Sequence, residues 1–325
     1  MKILLILLLL FIYYFPNQEM QAIIVNVLSY IWIFSIPFFL VYINNKKGKE
    51  YEVKLNDNIN VPINRTPVEL GYLLTGRINR YHLSATFMSL IAKGVLEVKR
   101  DKNNYIFIYN KGHEQDLSQS ESFLIHWFIN RIGDKEYVSL ETIVSESKSN
   151  SRYFYKSYKE WTDTATFEAL KQNYFEGKRV LIDDGSSYLA IAIILAVINF
   201  LKVKNYLLII GMLVIISILL LYVFNLKRRT KEGNLEYQKW RLFEKNIELI
   251  NNKISTYHLN QYALYFKIFG KLGIYKETII DKYKDNPTVN LNSQLLKLIE
   301  NGDMIIINKR IEATIWNAII RMAIS

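Results

Sequence analysis

Cysteine is absent from all 325 residues, which excludes disulfides and any thiolate-ligated zinc or iron centre. Histidine occurs four times, as His82, His113, His126 and His258, so a metal site would have to lean on carboxylates, and no metal or other cofactor is expected. There are only 13 glycines and 5 prolines, too few for a collagen-like or low-complexity chain. The glycines are scattered, with no Gly-x-Gly-x-x-Gly run and no phosphate-cradling loop, so nucleotide binding has no support. No Ser/His/Asp order is signalled either, and no small-molecule ligand is evident. Acids are the scarcer charge, 30 against 41 Lys and Arg, for a formal net of +11.

Half of the residues are apolar, and they are unevenly spread. From Met20 to Asn45 no charge occurs, and a bilayer core needs about 20 helical residues. Tyr30, Trp32 and Tyr42 add interfacial aromatics, and Pro37 is tolerable inside such a helix. A second uncharged run extends from Asn205 to Leu226. A shorter one, Ser186 to Leu201, is preceded by Asp183-Asp184-Gly185 and extended by Lys202 and Lys204, whose stems can snorkel. We read 186–226 as a transmembrane helical hairpin. The first apolar stretch, within 3–15, fits a short spanning helix or a signal-peptide core. No small-x-small cleavage site follows it, which favours an uncleaved helix. Asp183 and Asp184 also suit the positive end of a helix, a simpler account than a metal site.

Cations mark the ends of two of these runs. Lys46, Lys47 and Lys49 follow the second helix, and Lys227, Arg228, Arg229 and Lys231 follow the last. We expect these seven residues to anchor the helices at the headgroups of the lipid bilayer, with both ends cytoplasmic. Residues 44–185 carry 21 cations and 19 acids, whereas 227–325 carry 17 and 10. The surplus positive charge therefore lies after the last membrane helix.

The domain organisation read from these features is two N-terminal membrane helices in 1–43, the first of them a signal segment in the alternative reading, and a polar linker in 44–65. Winged-helix-like units in 66–112 and 116–182 come next, then the hairpin in 186–226 and a basic, mainly helical cytoplasmic domain in 227–325. Thr66-Pro67-Val68-Glu69 is a capping box with proline at the first helical position. A helix follows to Gly76, and another from His82 to Lys93 places Leu83, Phe87, Leu90 and Ile91 on one face. VLEVKR and YIFIY, joined by Asp101-Lys102-Asn103-Asn104, read as a hairpin. Two helices followed by a hairpin is the order of a winged helix. A second capping box at Ser118-Gln119-Ser120-Glu121 leads into Phe123, Leu124, Trp127 and Phe128. A short strand at Glu136 to Val138, helices over 140–147 and 152–174, and a strand over 178–182 would complete the second unit. After the last membrane run, helices are expected over 235–251 and 259–272. Two more flank Asn301-Gly302-Asp303, with MIIIN extended.

A winged helix invites DNA binding through the helix that precedes the wing. Here that helix offers only Arg80, His82 and Lys93, with Arg77, Lys99, Arg100 and Lys102 nearby. That is thin for phosphate neutralisation, so DNA is not the expected partner. His82 reads as an exposed or capping histidine, and His126, beside Trp127, as part of a packed helix face.

Three stretches carry a resemblance. TPVELGYLLTGRINRYHLSATFMSLIAKGVLEV, KRRTKEGNLEYQKWRLFEKNIELI and Gln261-Tyr262-Ala263-Leu264-Tyr265 are similar to the C-terminal part of a bacterial family of predicted membrane proteins, domain of unknown function 2207. The resemblance implies a membrane location and cytoplasmic modules, and it assigns no catalytic residue. Members of that family carry a β-rich outer domain ahead of the internal membrane helices, and this sequence has only Pro16 to Met20 between its first two apolar runs. The fold class expected is an α-helical multi-pass membrane protein of the bacterial cell membrane with cytoplasmic α+β, winged-helix-like units. Its expected role is that of a non-enzymatic scaffold or signalling protein presenting interaction modules to a protein partner. The alternatives are a membrane-tethered DNA-binding regulator and, behind it, a membrane enzyme.

Overall fold

The structure, a computed structural model, describes residues 17–49, 65–102, 104–175, 190–225, 229–245, 256–281 and 293–324. In chain order come α1 (Gln18–Lys49), α2 (Pro67–Thr75), α3 (Arg80–Ala92), β1 (Leu96–Asp101) and β2 (Asn104–Tyr109). They are followed by α4 (Gln119–Leu124), which widens into a π-helical stretch over Ile125–Ile132, β3 (Tyr137–Ser139), α5 (Leu140–Ser149) and α6 (Ser151–Leu170). Next are α7 (Ala190–Leu201), closing in a π turn over Asn199–Val203, and α8 (Tyr206–Asn225). The chain continues with α9 (Lys231–Lys245), α10 (Thr256–Ile268), α11 (Leu272–Tyr275) running into a π turn over Lys276–Ile280, α12 (Gln294–Glu300) and α13 (Asp303–Ile324). The protein is mostly helical, with one small antiparallel sheet in the order β1-β2-β3.

These elements fall into two compact units, one from Met1–Val53 with Phe175–Asn234 and one from Lys54–Tyr174 with Leu235–Ser325. In the first, Val25 and Trp32 of α1 pack with Ala192, Leu195 and Ala196 of α7 and with Leu208, Met212, Ile216 and Leu219 of α8. Repeats of three to four residues give each helix one inward stripe. A water-soluble bundle would carry polar residues on the opposite faces. Here Phe34, Phe38 and Leu207 stand outward, 74%, 78% and 87% exposed. Among the described residues one helical stretch, Gln18–Val41, is long and apolar enough to cross a membrane, and Ala190–Leu201 and Tyr206–Leu219 are shorter apolar helices. The expected span within 3–15 lies outside the described residues. One polar contact sits inside the bundle: Asn199 Nδ2 donates to Ser29 Oγ at 2.9 Å, and Ser29 Oγ donates to the Val25 carbonyl at 2.8 Å.

The second unit begins as the sequence signals. Thr66 Oγ1 accepts from Glu69 N and Glu69 Oε2 accepts from Thr66 N, closing the capping box of α2. Gly76 ends that helix at φ 68°, a left-handed position that glycine fills without a Cβ clash. The hairpin pairs Val98 with Phe107 and Asp101 with Asn104. β3 then pairs with β2, Val138 opposite Phe107. The short strand between α4 and α5 thus joins the sheet of the first hairpin. Strand 178–182 lies outside the described residues, as do residues 246–251 of the helix expected over 235–251. MIIIN is not extended but lies in α13: Met304 and Ile307 start a buried stripe that continues through Ile311, Ile315 and Ala318.

The core centres on α3. Every residue from His82 to Ile91 is buried, including the polar Ser84, Thr86 and Ser89, each of which has a hydrogen-bond acceptor. Ser84 Oγ donates to Glu312 at 2.7 Å, Thr86 to the His82 carbonyl at 2.8 Å and Ser89 to Glu121 at 2.7 Å. Phe87 meets Phe107 edge-on at 4.7 Å and Phe128 at 5.7 Å. The π-helical stretch turns less per residue than an α-helix, which lets the consecutive Trp127, Phe128 and Ile129 all face inward.

The last third of the chain closes this core. Gln294 of α12 pairs its amide with the free edge of β1, accepting from Val98 N at 3.1 Å and donating to Val98 O at 3.0 Å. Asp303 accepts from Tyr105 Oη at 2.7 Å and pairs with Arg100 at 3.1 Å. Trp240 of α9 packs edge-on against Tyr265 of α10 at 4.5 Å, and Tyr265 Oη accepts from Arg65 N at 3.4 Å.

Candidate functional site

Beside the start of α3 lies a pocket of about 520 Å³ whose walls come from the α2–α3 turn, α10, α11 and α13. That volume suits a small molecule. Its polar wall is His82, Lys267, Asn308, Lys309 and Glu312, and its apolar wall includes Ile268, Phe269, Leu272 and Ile305.

His82 is set by its own helix start. Asn79 is the N-cap, its Oδ1 accepting from Tyr81 N at 2.9 Å, and His82 Nδ1 accepts from Asn79 N at 3.0 Å. With Nδ1 occupied as an acceptor, the neutral ring carries its proton on Nε2. The ring lies against α2, where a Cβ on Gly71 would come within 2.2 Å of His82 Cδ2. Gly71 is therefore glycine for room. Burial above all, and then the Lys267 ammonium, lower the His82 pKa from 6.5 to about 4, so the imidazole is neutral at physiological pH.

Lys267 and Glu312 face each other as a half-buried ion pair, and Glu312 also accepts from Ser84 Oγ. Asn308 is 2% exposed; its Nδ2 donates to Met88 Sδ at 3.1 Å, while Oδ1 has no partner. Lys309 is exposed and has no ion pair among the described residues. At the rim, Arg80 stacks over Tyr81 at 4.9 Å and over Trp316 at 4.5 Å. The wall thus combines one ion pair, in which Lys267 and Ser84 both meet Glu312 Oε1, with one exposed lysine and a fully buried amide oxygen, beside apolar side chains. Among the described residues no group of His, Asp and Glu could hold a metal.

Of the residues singled out in the sequence, His82 lies in this pocket as the capping histidine. His126 is exposed, not packed, because Trp127 and Phe128 take the inward positions. Lys46, Lys47 and Lys49 fall at the C-terminal end of α1. Lys227 and Arg228 lie outside the described residues. Arg229 lies over the Phe175 ring at 5.6 Å and pairs with it in an isolated β-bridge, and Lys231 opens α9. Lys267, Asn308, Lys309 and Glu312 were not anticipated. They stand on helices some two hundred positions from α3, and the one local hint is the i, i+4 spacing of Asn308 and Glu312 along α13.

Residues 58–261, more than half of the chain, match the model of the C-terminal domain of the DUF2207 predicted membrane proteins. The chain belongs to that family. The DUF2207 match ends at Gln261, inside α10, so Lys267, Asn308 and Glu312 lie beyond it. No curated protein and no solved structure matches the chain.

Proposed function

We propose that this DUF2207 protein is a multi-pass membrane protein in which α1, α7 and α8 cross the bilayer and tether the second unit at the cytoplasmic surface. There it acts as a non-enzymatic interaction module, a scaffold or signalling protein, with winged-helix-like parts used for support. One observation carries the reading: the second unit is a single compact body drawn from chain on both sides of residues 175–234. Both of its pieces must lie on one side of a membrane. The apolar segment between them therefore returns to the face it left, with an even number of crossings. α8 supports this as a 20-residue helix with no charge, about 30 Å long at 1.5 Å per residue, and α7 supplies the return. The Lys-rich ends at 46–49 and 227–231 support a cytoplasmic assignment.

Burial of α3 weighs against the DNA-binding alternative. A recognition helix must present side chains to a groove, and here its inward and outward faces are both occupied. Single cysteines at Gln18 and Ser149 in the cysteine-free chain test the topology. In intact cells a membrane-impermeant maleimide should label Gln18→Cys and leave Ser149→Cys unlabelled until the membrane is permeabilised. Labelling of Ser149→Cys from outside would overturn the assignment.

A further inference from the structure

We infer that the outward face of α13 docks on the headgroup layer of a bilayer containing anionic lipid. Ile306, Lys309, Ala313, Trp316, Ile320 and Ile324 are all exposed, and at 100° per residue they fall within about 80° of the helix circumference. The water-facing side of a helix is normally polar. On this one Ile306, Trp316, Ile320 and Ile324 are 48%, 46%, 37% and 81% exposed. The acids of α13 are Asp303 and Glu312, and both are paired, Asp303 with Tyr105 and Arg100, Glu312 with Lys267 and Ser84. Of its cations, Arg310 meets Glu141 at 3.9 Å, whereas Lys309 and Arg321 are exposed beside the apolar row. Arg321 donates to the Ser147 carbonyl at 3.4 Å, a contact that cancels no charge, and Arg80 lies over the Trp316 ring at 4.5 Å. Aliphatic residues, a tryptophan and cations turned to water make up a helix that lies in a membrane interface, with its ring at headgroup level and its cations on anionic lipid. Such a helix lies on the bilayer and does not cross it: α13 carries five charges, and Ile307, Ile311 and Ile315 are buried on its other side. A second copy of the chain fits this face less well, since a two-fold contact would set Lys309, Arg321 and Arg80 against themselves. The tether proposed above, on which this rests, keeps lipid at hand without choosing the side that meets it; the face of α13 makes that choice.

Because the chain has no cysteine, single sites can report the docking. The full chain, one copy per nanodisc, carries an environment-sensitive fluorophore on Ile320→Cys, on Phe38→Cys of α1, or on Glu114→Cys, and spin-labelled lipid is the quencher. Glu114 is exposed, and its neighbour Asp116 meets Lys93 at the opposite end of α3 from Arg80. In discs of phosphatidylcholine mixed with phosphatidylserine, Ile320→Cys and Phe38→Cys should be quenched and Glu114→Cys should not. In phosphatidylcholine alone, quenching should persist at Phe38→Cys and fall at Ile320→Cys. Each cation near an anionic surface contributes about fivefold, so Lys309→Gln together with Arg321→Gln should lower the ratio of docked to undocked protein about 25-fold. Both positions are exposed, so the fold is kept. Quenching at Phe38→Cys with none at Ile320→Cys would overturn the docked face and spare the tether, and leave the face to an acidic protein partner. Loss at both sites would overturn both. Equal quenching at Ile320→Cys in the two lipids would overturn the choice of anionic lipid, and quenching that requires two copies per disc would overturn lipid in favour of a second copy.

Discussion

Protonating His82 should loosen the second unit, and the size of the effect follows from its surroundings. The ring is 2% exposed and sits beside the Lys267 ammonium, so the folded state disfavours the imidazolium. Its pKa falls from 6.5 in the unfolded chain to about 4 in the fold. Between those values the unfolded chain binds more protons, so stability is full above the unfolded pKa and is lost as pH falls toward the folded one. The shift corresponds to about 3 kcal/mol in the acid limit and to about 2 kcal/mol near pH 5. His82→Gln isolates this contribution. Glutamine at the third helical position can still reach back to the cap backbone, as in an ordinary capping box, but it does not titrate. Denaturant unfolding of the full chain in micelles, followed by tryptophan fluorescence, should show the parent losing about 2 kcal/mol more than His82→Gln between pH 7 and pH 5. Carboxylates elsewhere titrate in both proteins and cancel in the difference. Parallel pH dependences would refute a buried, neutral His82.

Gly71→Ala should destabilise by about 2 kcal/mol, because the added methyl meets the His82 ring; in a His82→Ala background the same change should be close to neutral, which a double-mutant cycle would read. Thr66→Ala and Ser118→Ala should each cost about 1 kcal/mol in chemical unfolding, since each hydroxyl closes a complete capping box. Glu121→Ala should cost more than either, about 2 kcal/mol, because it removes the buried partner of Lys93 and Ser89 together with the cap of α4. Gln294→Ala uncovers the β1 edge and should raise the fraction of higher oligomers in size-exclusion chromatography with light scattering.

What was legible in the sequence was whatever depends on neighbours a few positions apart. Thr66 and Ser118 announced their helices because a capping box closes within four residues, and the hairpin announced itself through two strand-like runs joined by the polar Asp101-Lys102-Asn103-Asn104. The apolar runs of α1 and α8 needed only counting. The environment of α3 was hidden. Its serines and threonine resemble a solvent-facing stripe, and it takes Glu312 and Glu121, far along the chain, to show that Ser84 and Ser89 are buried with acceptors, while Thr86 turns back to the His82 carbonyl. The pairing of β3 with β2 escaped for the same reason, since three residues carry no signal about which edge they will meet. Of the pocket, His82 was seen as a cap. Its charge partners stand on α10 and α13, and no spacing rule connects residue 82 with 267, 308 and 312.

Because the second unit is completed by chain that follows the apolar segment, the order of synthesis constrains how the protein can mature. The ribosome delivers α2 to α6 first, with the face of α3 that Ser84 and Met88 share still uncovered. The segment holding α7 and α8 comes next, and α10 to α13 emerge last. At translation speeds of 5–20 residues per second the final stretch takes on the order of 5–20 s to appear. Throughout that interval this face of α3 waits without its final cover. A chain arrested before α13 would leave that face to chaperones or proteases, so cellular abundance of this protein should depend steeply on reaching its last helix.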